Sequence, residues 1–209
     1  MKKSMNLIRS IISIVLIVLL VLADQLTKSL VNSHIELGTS VCIVNPLLYF
    51  THVENEGAAW SILSGKQLLF IILTIVMLIV LVWFYVKTPM EKKYDPIRYC
   101  TVVLSAGAIG NFIDRVSQGR VVDFIDSRLV YCITGGRYNF PIYNVADICV
   151  TISMAVLILL ILFHYKDEDF SYLKPKKKDK AALETEIYTI HKDGTRTSEQ
   201  PEDNSSEDE

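Results

Sequence analysis

Apolar residues along this chain gather in four long blocks separated by polar segments. The blocks cover about residues 7–23, 67–86, 97–113 and 145–165. An α-helix rises 1.5 Å per residue, so about 20 residues cross the roughly 30 Å hydrocarbon core of a bilayer. Each block therefore predicts a transmembrane helix, and the short first and third blocks are expected to extend into their polar flanks. The predicted fold is a membrane all-α core of four transmembrane helices within residues 1–165.

The first apolar block also resembles the core of a secretory signal, because basic residues precede it. No Ala-x-Ala-like cleavage site follows the block, and the polar run Asp24-Gln25-Leu26-Thr27-Lys28 stands there instead. We therefore expect a retained helix.

The basic residues predict the topology. They concentrate at the N-terminus, in the connection 87–98 and after the fourth block. Because basic loops stay in the cytoplasm, both termini are expected there, with loops 24–66 and 114–144 outside. Loop 114–144 departs from this rule, which suggests that its arginines have local partners or bind something anionic. These are Arg115, Arg120, Arg128 and Arg137.

The first extracytoplasmic loop contains a predicted β element. Val41–Val44 and residues 47–53 read as two short strands around the turn Asn45-Pro46. Such a hairpin either offers an edge to an extended peptide or merely seals the helix ends.

Two other features of the extracytoplasmic loops leave alternatives open. Gly135-Gly136 is typical of a turn, and adjacent glycines also serve as hinges. Cys42 and Cys132 are either a disulfide or two free thiols, because sequence cannot establish their proximity.

The chain becomes polar after residue 165. A lysine-rich run from Lys174 to Lys180 is expected to contact anionic lipid headgroups. Residues 193–209 hold seven carboxylates against one arginine. Residues 166–209 are therefore predicted to form a disordered cytoplasmic tail. The net charge of −2 gives no indication of a nucleic-acid partner.

Asp123 and Asp147 lie in apolar stretches at the extracytoplasmic ends of the predicted spans. Moving a carboxylate toward hydrocarbon costs roughly 2.5–3.5 kcal/mol, so such residues are seldom kept for stability. Two neighbouring carboxylates share a proton, and that arrangement activates water in aspartic proteases. The pair indicates a membrane-embedded aspartyl protease. Asp147 also stands where a capping box beginning at Asn144 would place an acid.

Further polar residues fall near the same predicted membrane face. Asp24 and Lys28 are four residues apart on one helix face, as in a structural ion pair. Asn111, Asp114 and Arg115 share a face at the end of the third helix. In the segment Asn55-Glu56-Gly57, the side-chain amide of Asn55 can both donate and accept hydrogen bonds, and Gly57 lets a backbone approach closely.

These motifs, in this order between four spans, resemble lipoprotein signal peptidase (signal peptidase II), an aspartyl peptidase family. The resemblance covers about residues 7–165. It is carried by Asp24…Lys28, Asn55-x-Gly57-Ala58-Ala59, Gly110-Asn111-x-x-Asp114-Arg115, Val121-Val122-Asp123-Phe124 and Asn144-x-Ala146-Asp147. The chain departs from the family pattern at Ala106, Trp60 and Tyr143, which affects pocket shape rather than chemistry.

The resemblance implies a multi-pass enzyme of the bacterial cytoplasmic (inner) membrane that cuts prolipoproteins before a diacylglyceryl-modified cysteine. It implies Asp123 and Asp147 as the catalytic dyad, with no metal or cofactor. Substrate-binding or supporting roles would fall to Asn55, Gly57, Asn111, Arg115 and Asn144, and structural roles to Asp24, Lys28 and Asp114. Globomycin-type inhibitors are expected in the same pocket, and membrane lipids around it.

Elementary electrostatics suggests how the dyad divides its roles. Asp147, at a helix N-terminus, feels the positive end of a dipole that favours its charge, so Asp123 is expected to carry the proton. Two rival functions stay open at this point. One is a non-enzymatic four-span protein that binds lipids or lipoproteins, and the other is a proton-coupled transporter.

Overall fold

The computed structural model of the chain describes residues 2–57 and 66–173. Within them, four long helices and one short helix accompany three strands. They are α1 (Lys2–His34), β1 (Ser40–Val44), β2 (Leu48–Asn55), α2 (Gln67–Lys87), α3 (Asp95–Gln118), β3 (Val121–Ser127), α4 (Leu129–Ile133) and α5 (Val145–Phe163). Short 3-10 segments stand at Lys92–Tyr94 and Asp167–Leu173.

Helix α1 is longer than the predicted span 7–23, as its polar flanks suggested. It continues about ten residues past Asp24, which adds ~15 Å of helix. Asp24 and Lys28 therefore lie inside a helix and not in a loop 24–66. The extension is stable because Lys28 is buried in ion pairs with carboxylates on α1 and α3, so its polar face is satisfied.

Helix α3 occupies the centre of the helical bundle, where it contacts α1, α2 and α5. It runs beyond the predicted end at residue 113 to Gln118, and Gly119 closes it with a φ of 79°. Asp114 and Arg115 are therefore helical. Gly107 lets α5 approach closely, because a Cβ there would lie 2.5 Å from the backbone oxygen of Ala146.

Three described helices are long and apolar enough to cross a membrane: Ser4–His34, Gln67–Lys87 and Val145–Phe163. Helix α3, the fourth predicted span, is less apolar than these three. A polar interior helix of this kind is expected where neighbouring helices cover its polar groups.

A small antiparallel sheet follows α1, with strand order β1-β2-β3. The predicted hairpin is present as β1 and β2. The third strand is absent from the prediction, because its continuous apolar run does not alternate as a half-buried strand does. Val53 on β2 lies opposite Asp123 on β3, so the sheet links the asparagine segment to the aspartate.

The sheet packs against the last turns of α1. Val31 of that helix forms an apolar cluster with Val122 and Phe124 of β3. The C-terminal extension of α1 thereby holds the strand that carries Asp123.

The expectation of disorder from residue 166 onward is wrong for Asp167–Leu173. This segment is ordered because its aromatic residues pack against Tyr94 and Tyr165, and Tyr94 donates its hydroxyl to the backbone oxygen of Asp169 at 3.0 Å. The rest of the predicted tail, with the run from Lys174 to Lys180, lies outside the described residues, as does Trp60.

The sequence leaves two alternatives open for the loops, the role of Gly135-Gly136 and the state of Cys42 and Cys132. Gly135 and Gly136 have φ values of 62° and 85° in the turn that follows α4. Cys42 and Cys132 are both free and exposed.

Candidate active site

Asp147 caps the helix that carries it and makes one further contact. Asn144 accepts a hydrogen bond from the Asp147 backbone at 2.9 Å, and Asp147 Oδ2 accepts one from the Asn144 backbone at 3.1 Å. This confirms the predicted capping box. The second oxygen, Oδ1, accepts a hydrogen bond from Asn111 Nδ2 at 2.7 Å, so capping does not exhaust the role of this carboxylate.

Asp123 lies on β3 with only 4% of its surface exposed. Its Oδ2 accepts a hydrogen bond from Asn55 Nδ2 at 2.9 Å, and its Oδ1 accepts one from Asn144 Nδ2 at 2.8 Å. Asn144 therefore binds both aspartates, one through its side chain and the other through its backbone. The two carboxylates predicted to work together, from a strand and a helix, share one residue.

The three asparagines have side-chain orientations that their other neighbours determine. Each side-chain oxygen accepts from a group that can only donate: Asn55 from the Gly57 backbone N–H, Asn111 from Lys28 Nζ and Asn144 from the Asp147 backbone N–H. Each Nδ2 must then face a carboxylate. The site is a ring of amide donors directed at two acids.

Lys28 lies beside this ring in a cluster of its own. Its Nζ is 2.8 Å from Asp24 Oδ2, 2.8 Å from Asp114 Oδ2 and 3.0 Å from Asn111 Oδ1, which accounts for all three ammonium protons. Asp24 also accepts the Ala146 backbone N–H at 2.9 Å. The cluster therefore joins α1, α3 and the first turn of α5.

Arg115 forms no hydrogen bond or ion pair with either aspartate. Its guanidinium donates to the backbone oxygens of Asn111 and Gly57, both at 3.3 Å, and it lies over the ring of Phe70. The local partners suggested for Arg115 are thus backbone oxygens, and the residue ties the segment around Gly57 to α3.

Burial changes the proton affinity of the site. The pKa of Asp123 is raised to about 7, chiefly because the carboxyl group is removed from water and also because Asp147 is nearby, while the amides of Asn55 and Asn144 act in the opposite direction. A carboxyl group with such a pKa exchanges its proton near neutral pH, as a general acid must.

Gln25 is a supporting residue that sequence reasoning missed. Its Nε2 lies 3.1 Å from Asp24 Oδ2, 2.9 Å from Asp114 Oδ1 and 3.2 Å from the Gly110 backbone oxygen. An amide beside an aspartate within an otherwise apolar helix was the signal available. Among residues 2–57 and 66–173, no three His, Cys, Asp or Glu side chains are arranged to hold a metal ion.

The arrangement of the two carboxylates suits acid–base catalysis. Two carboxylates are held by neutral donors around a shared asparagine, and one of them can keep its proton at neutral pH. Such a pair can take a proton from water with one acid while the other donates a hydrogen bond to an acceptor.

Comparisons with known proteins place this geometry in context. A family model described as signal peptidase (SPase) II, Peptidase_A8, matches residues 16–163. A lipoprotein signal peptidase of Staphylococcus haemolyticus (strain JCSC1435) is 42% identical over 152 residues, covering 72% of this chain and 90% of that protein. One from Staphylococcus aureus (strain MRSA252) is 41% identical over 151 residues, covering 72% and 87%.

Two solved structures have a similar fold. A bacterial membrane enzyme determined by the in meso method at 2.3 Å superposes with a TM-score of 0.63 at 39% identity, covering 79% of this chain and 93% of that one. A second, at 1.9 Å, gives a TM-score of 0.62 at 39% identity, covering 73% and 94%.

Proposed function

This chain belongs to the signal peptidase II family, and we propose that Asp123 and Asp147 form the catalytic dyad with which it works. Members of the family are aspartic endopeptidases that remove the signal peptide from prolipoproteins, and this chain is a membrane protein with that activity.

The observation that carries the proposal is the shared asparagine. Asn144 donates its side-chain amide to Asp123 and its backbone N–H to Asp147. Asn55 and Asn111 complete the ring with one donor each. A purely structural pair of acids would gain nothing from this proximity, because each carboxylate disfavours ionisation of the other.

In the proposed mechanism Asp147 is the ionised base and Asp123 the protonated acid. Asp147 takes a proton from water as the water oxygen attacks the scissile carbonyl carbon, while Asp123 donates a hydrogen bond to the carbonyl oxygen. The C–N bond then breaks as Asp147 returns to the leaving nitrogen the proton that it took from water, and the products are an acid and an amine. The position of Asp147 at the N-terminus of α5 favours its charge, and burial favours the proton on Asp123.

The remaining polar residues support the dyad. Asn55, Asn111 and Asn144 orient the acids, and Gly57 and Arg115 hold the segment that carries Asn55. Asp24, Lys28 and Asp114 are structural, since they satisfy one another at the junction of α1, α3 and α5.

We further propose that α3 is a fourth span and that both termini are cytoplasmic. The N-terminal part of α1 approaches the α2–α3 connection, where Arg9 pairs with Asp95 at 3.0 Å. The segment after α5 reaches the same connection, where Tyr165 donates to the Lys93 backbone oxygen at 2.7 Å. The basic segments thus meet at one end, which supports an even number of crossings. The dyad would then lie near the extracytoplasmic face of the inner membrane.

The substrate is proposed to enter laterally from the lipid. An apolar groove of about 370 Å³ lies between α2 and α3, lined by Ile75, Leu78, Ile79, Val82 and Phe112. Phe112 follows Asn111, which donates to Asp147, so one wall of the groove lies on the turn of α3 that also carries a residue of the amide ring. It suits an acyl chain of a diacylglyceryl-modified cysteine, before which cleavage would fall. Globomycin-type inhibitors would compete for the same space.

The test incubates the purified enzyme in detergent with a diacylglyceryl-modified prolipoprotein and follows the mass lost with the signal peptide. Wild type should cleave before the modified cysteine, whereas Asp123→Asn and Asp147→Asn should not. Asp169→Asn is the matched control, because it changes an aspartate that pairs with Lys93 far along the chain from the dyad. Full activity in either dyad variant, with the protein folded, would refute the assignment.

A further inference from the structure

A second cavity lies beside the far end of β3. It measures about 460 Å³ and is lined by Asp126, Arg128, Tyr131 and residues 139–142. We call it the outer pocket. Neither the dyad nor its amide ring lines it, and the mechanism described above gives it no role.

Two polar side chains of the outer pocket are held rigidly yet incompletely bonded. Asp126 Oδ2 accepts hydrogen bonds from Thr51 at 3.1 Å and from Arg128 Nε at 3.0 Å, and it lies 2.9 Å from Arg128 Nη2. The guanidinium carbon of Arg128 also lies 3.8 Å from the centre of the Tyr49 ring. No described residue hydrogen-bonds to Asp126 Oδ1 or Arg128 Nη1.

The outer pocket therefore presents one fixed acceptor and one fixed donor. Because Asp126 and Arg128 neutralise each other, the pocket favours neither an anion nor a cation. Peptide groups have one N–H and one C=O each, which this pair can satisfy. A phosphate headgroup fits less well, because the Asp126 carboxylate would repel it.

The position of the outer pocket relates it to the dyad. Asp123 and Asp126 are three residues apart on one strand, so about 10 Å, the length of about three extended residues, separates their Cα atoms, and their side chains leave opposite faces of the strand. Ile142, which lines the outer pocket, is two residues before Asn144, so the pocket adjoins the segment that binds both aspartates.

The Asp24 carboxylate meets the first turn of α5, and α1 runs on for ~10 Å to Val31, which supports the sheet. The strand β3 begins beside α3, where the Val122 backbone N–H donates to Asp114 Oδ2 at 3.4 Å, and it leads from there away from the end of the helical bundle.

We propose that the outer pocket binds the second to fourth residues of the mature lipoprotein, those that follow the modified cysteine. The inference rests on the proposed function. The signal peptide lies on the membrane side of the cleaved bond, whereas the mature chain must leave the membrane, and the outer pocket lies along that exit. Its bound peptide is extended, with a backbone N–H donated to Asp126 and a backbone C=O accepting from Arg128.

The test uses two lipopeptides with the same signal peptide and the same modified cysteine. The short one ends at the cysteine amide, and the long one continues for six mature residues. Asp126→Asn should present an amide N–H₂ to the outer pocket, because the donor-only Arg128 attracts the amide oxygen. Both Asp126→Asn and Arg128→Gln should raise KM for the long substrate about tenfold with kcat unchanged, the loss of one good contact. Neither should alter KM for the short substrate.

Arg120→Gln is the matched control. Arg120 also flanks β3 and pairs with a carboxylate, Glu54, at 2.9 Å, but it does not line the outer pocket. It should leave both substrates unaffected.

Each outcome decides between explanations. Equal losses on both substrates, or no loss on the long one, would overturn the inference while leaving the dyad intact. Competition by phosphatidylglycerol in wild type but not in Arg128→Gln would assign the outer pocket to a lipid headgroup instead and would also overturn it. Failure of wild type to cleave either substrate would refute the proposed function itself, and this inference with it.

Discussion

Asp24 and Asp114 differ from Asp123 and Asp147 in what donates to them. The first two are held by an ammonium, with Lys28 Nζ 2.8 Å from each. The second two accept hydrogen bonds from neutral amides, and no described lysine or arginine forms an ion pair with them. Asn111 joins the two regions, since it accepts from Lys28 and donates to Asp147.

The two regions have different roles: the lysine cluster stabilises the structure, and the asparagine ring surrounds a carboxyl group that can exchange its proton. A cation within ion-pair distance compensates the charge of a buried carboxylate, so the three charged side chains of the lysine cluster stabilise one another. Amide donors orient a carboxylate without supplying a full charge, and burial can then raise its pKa, as it does for Asp123. The lysine cluster therefore gives rigidity, and the asparagine ring leaves one proton exchangeable.

The largest expected effect comes from the same substitution made in each region. Asp123→Asn should lower turnover by at least about 10³-fold, because the carboxylic acid that polarises the scissile carbonyl is lost, with little loss of thermal stability. Asp24→Asn should lower the melting temperature and retain measurable turnover, because it removes one ion pair to Lys28 and no reacting group. Both are measured by lipopeptide cleavage and thermal unfolding in detergent. Loss of activity in Asp24→Asn at an unchanged melting temperature would contradict the structural role given to Asp24.

Removing the cation should be the most destabilising single change. Lys28→Met leaves two buried carboxylates without a counter-ion, which should cost ~3–5 kcal/mol of folding free energy. The melting temperature and detergent-resistant helicity report the loss. Adding Asp114→Asn to Lys28→Met should recover part of it, since one uncompensated charge disappears. A double variant less stable than Lys28→Met would show that Lys28 acts through packing and not through charge.

The raised pKa of Asp123 should make the stability of the folded protein depend on pH. Its pKa is about 7 in the folded protein against 3.8 for the free side chain, so the folded state holds a proton that the unfolded state releases. This contribution to stability is complete below pH 3.8 and is lost as pH rises to 7, by up to about 4 kcal/mol. Asp123→Asn lacks this loss, so its melting temperature should rise relative to that of wild type as pH increases from 3.8 to 7. A difference that stays constant from pH 4 to pH 7 would contradict the raised pKa.

The sequence predicted the chemistry more fully than the local structure. Asp123 and Asp147 stood out because carboxylates are costly in apolar surroundings, and the capping box at Asn144 followed from spacing alone. Sequence does not reveal that Asn144 joins the two acids, because that contact depends on the pairing of β3 with β2. The strand itself was missed, since a run buried on both faces lacks period-two alternation.

Helix ends were the weakest predictions, for a related reason. The predicted loops began at residues 24 and 114, yet the helices continue through Lys28 and Asp114, as the helical spacing of the polar residues there indicated. Hydropathy counts each as a cost, whereas their mutual ion pair at 2.8 Å satisfies them. Such compensation arises between helices distant in sequence, so no local pattern reports it.

The smallest expected effect concerns one amide of the ring. Asn55 donates to Asp123 at 2.9 Å and lowers its pKa, so Asn55→Ala should raise that pKa further. If protonated Asp123 is the acid, the alkaline limb of kcat/KM should move to higher pH, while kcat falls about tenfold through lost orientation. Asn45→Ala is the matched control, because Asn45 accepts from the Tyr49 hydroxyl at the hairpin turn, away from Asp123. A shift of the acidic limb to higher pH, with the alkaline limb unmoved, would mean that Asp123 works as the ionised base. That result would exchange the roles of the two aspartates without altering the contrast with the lysine cluster.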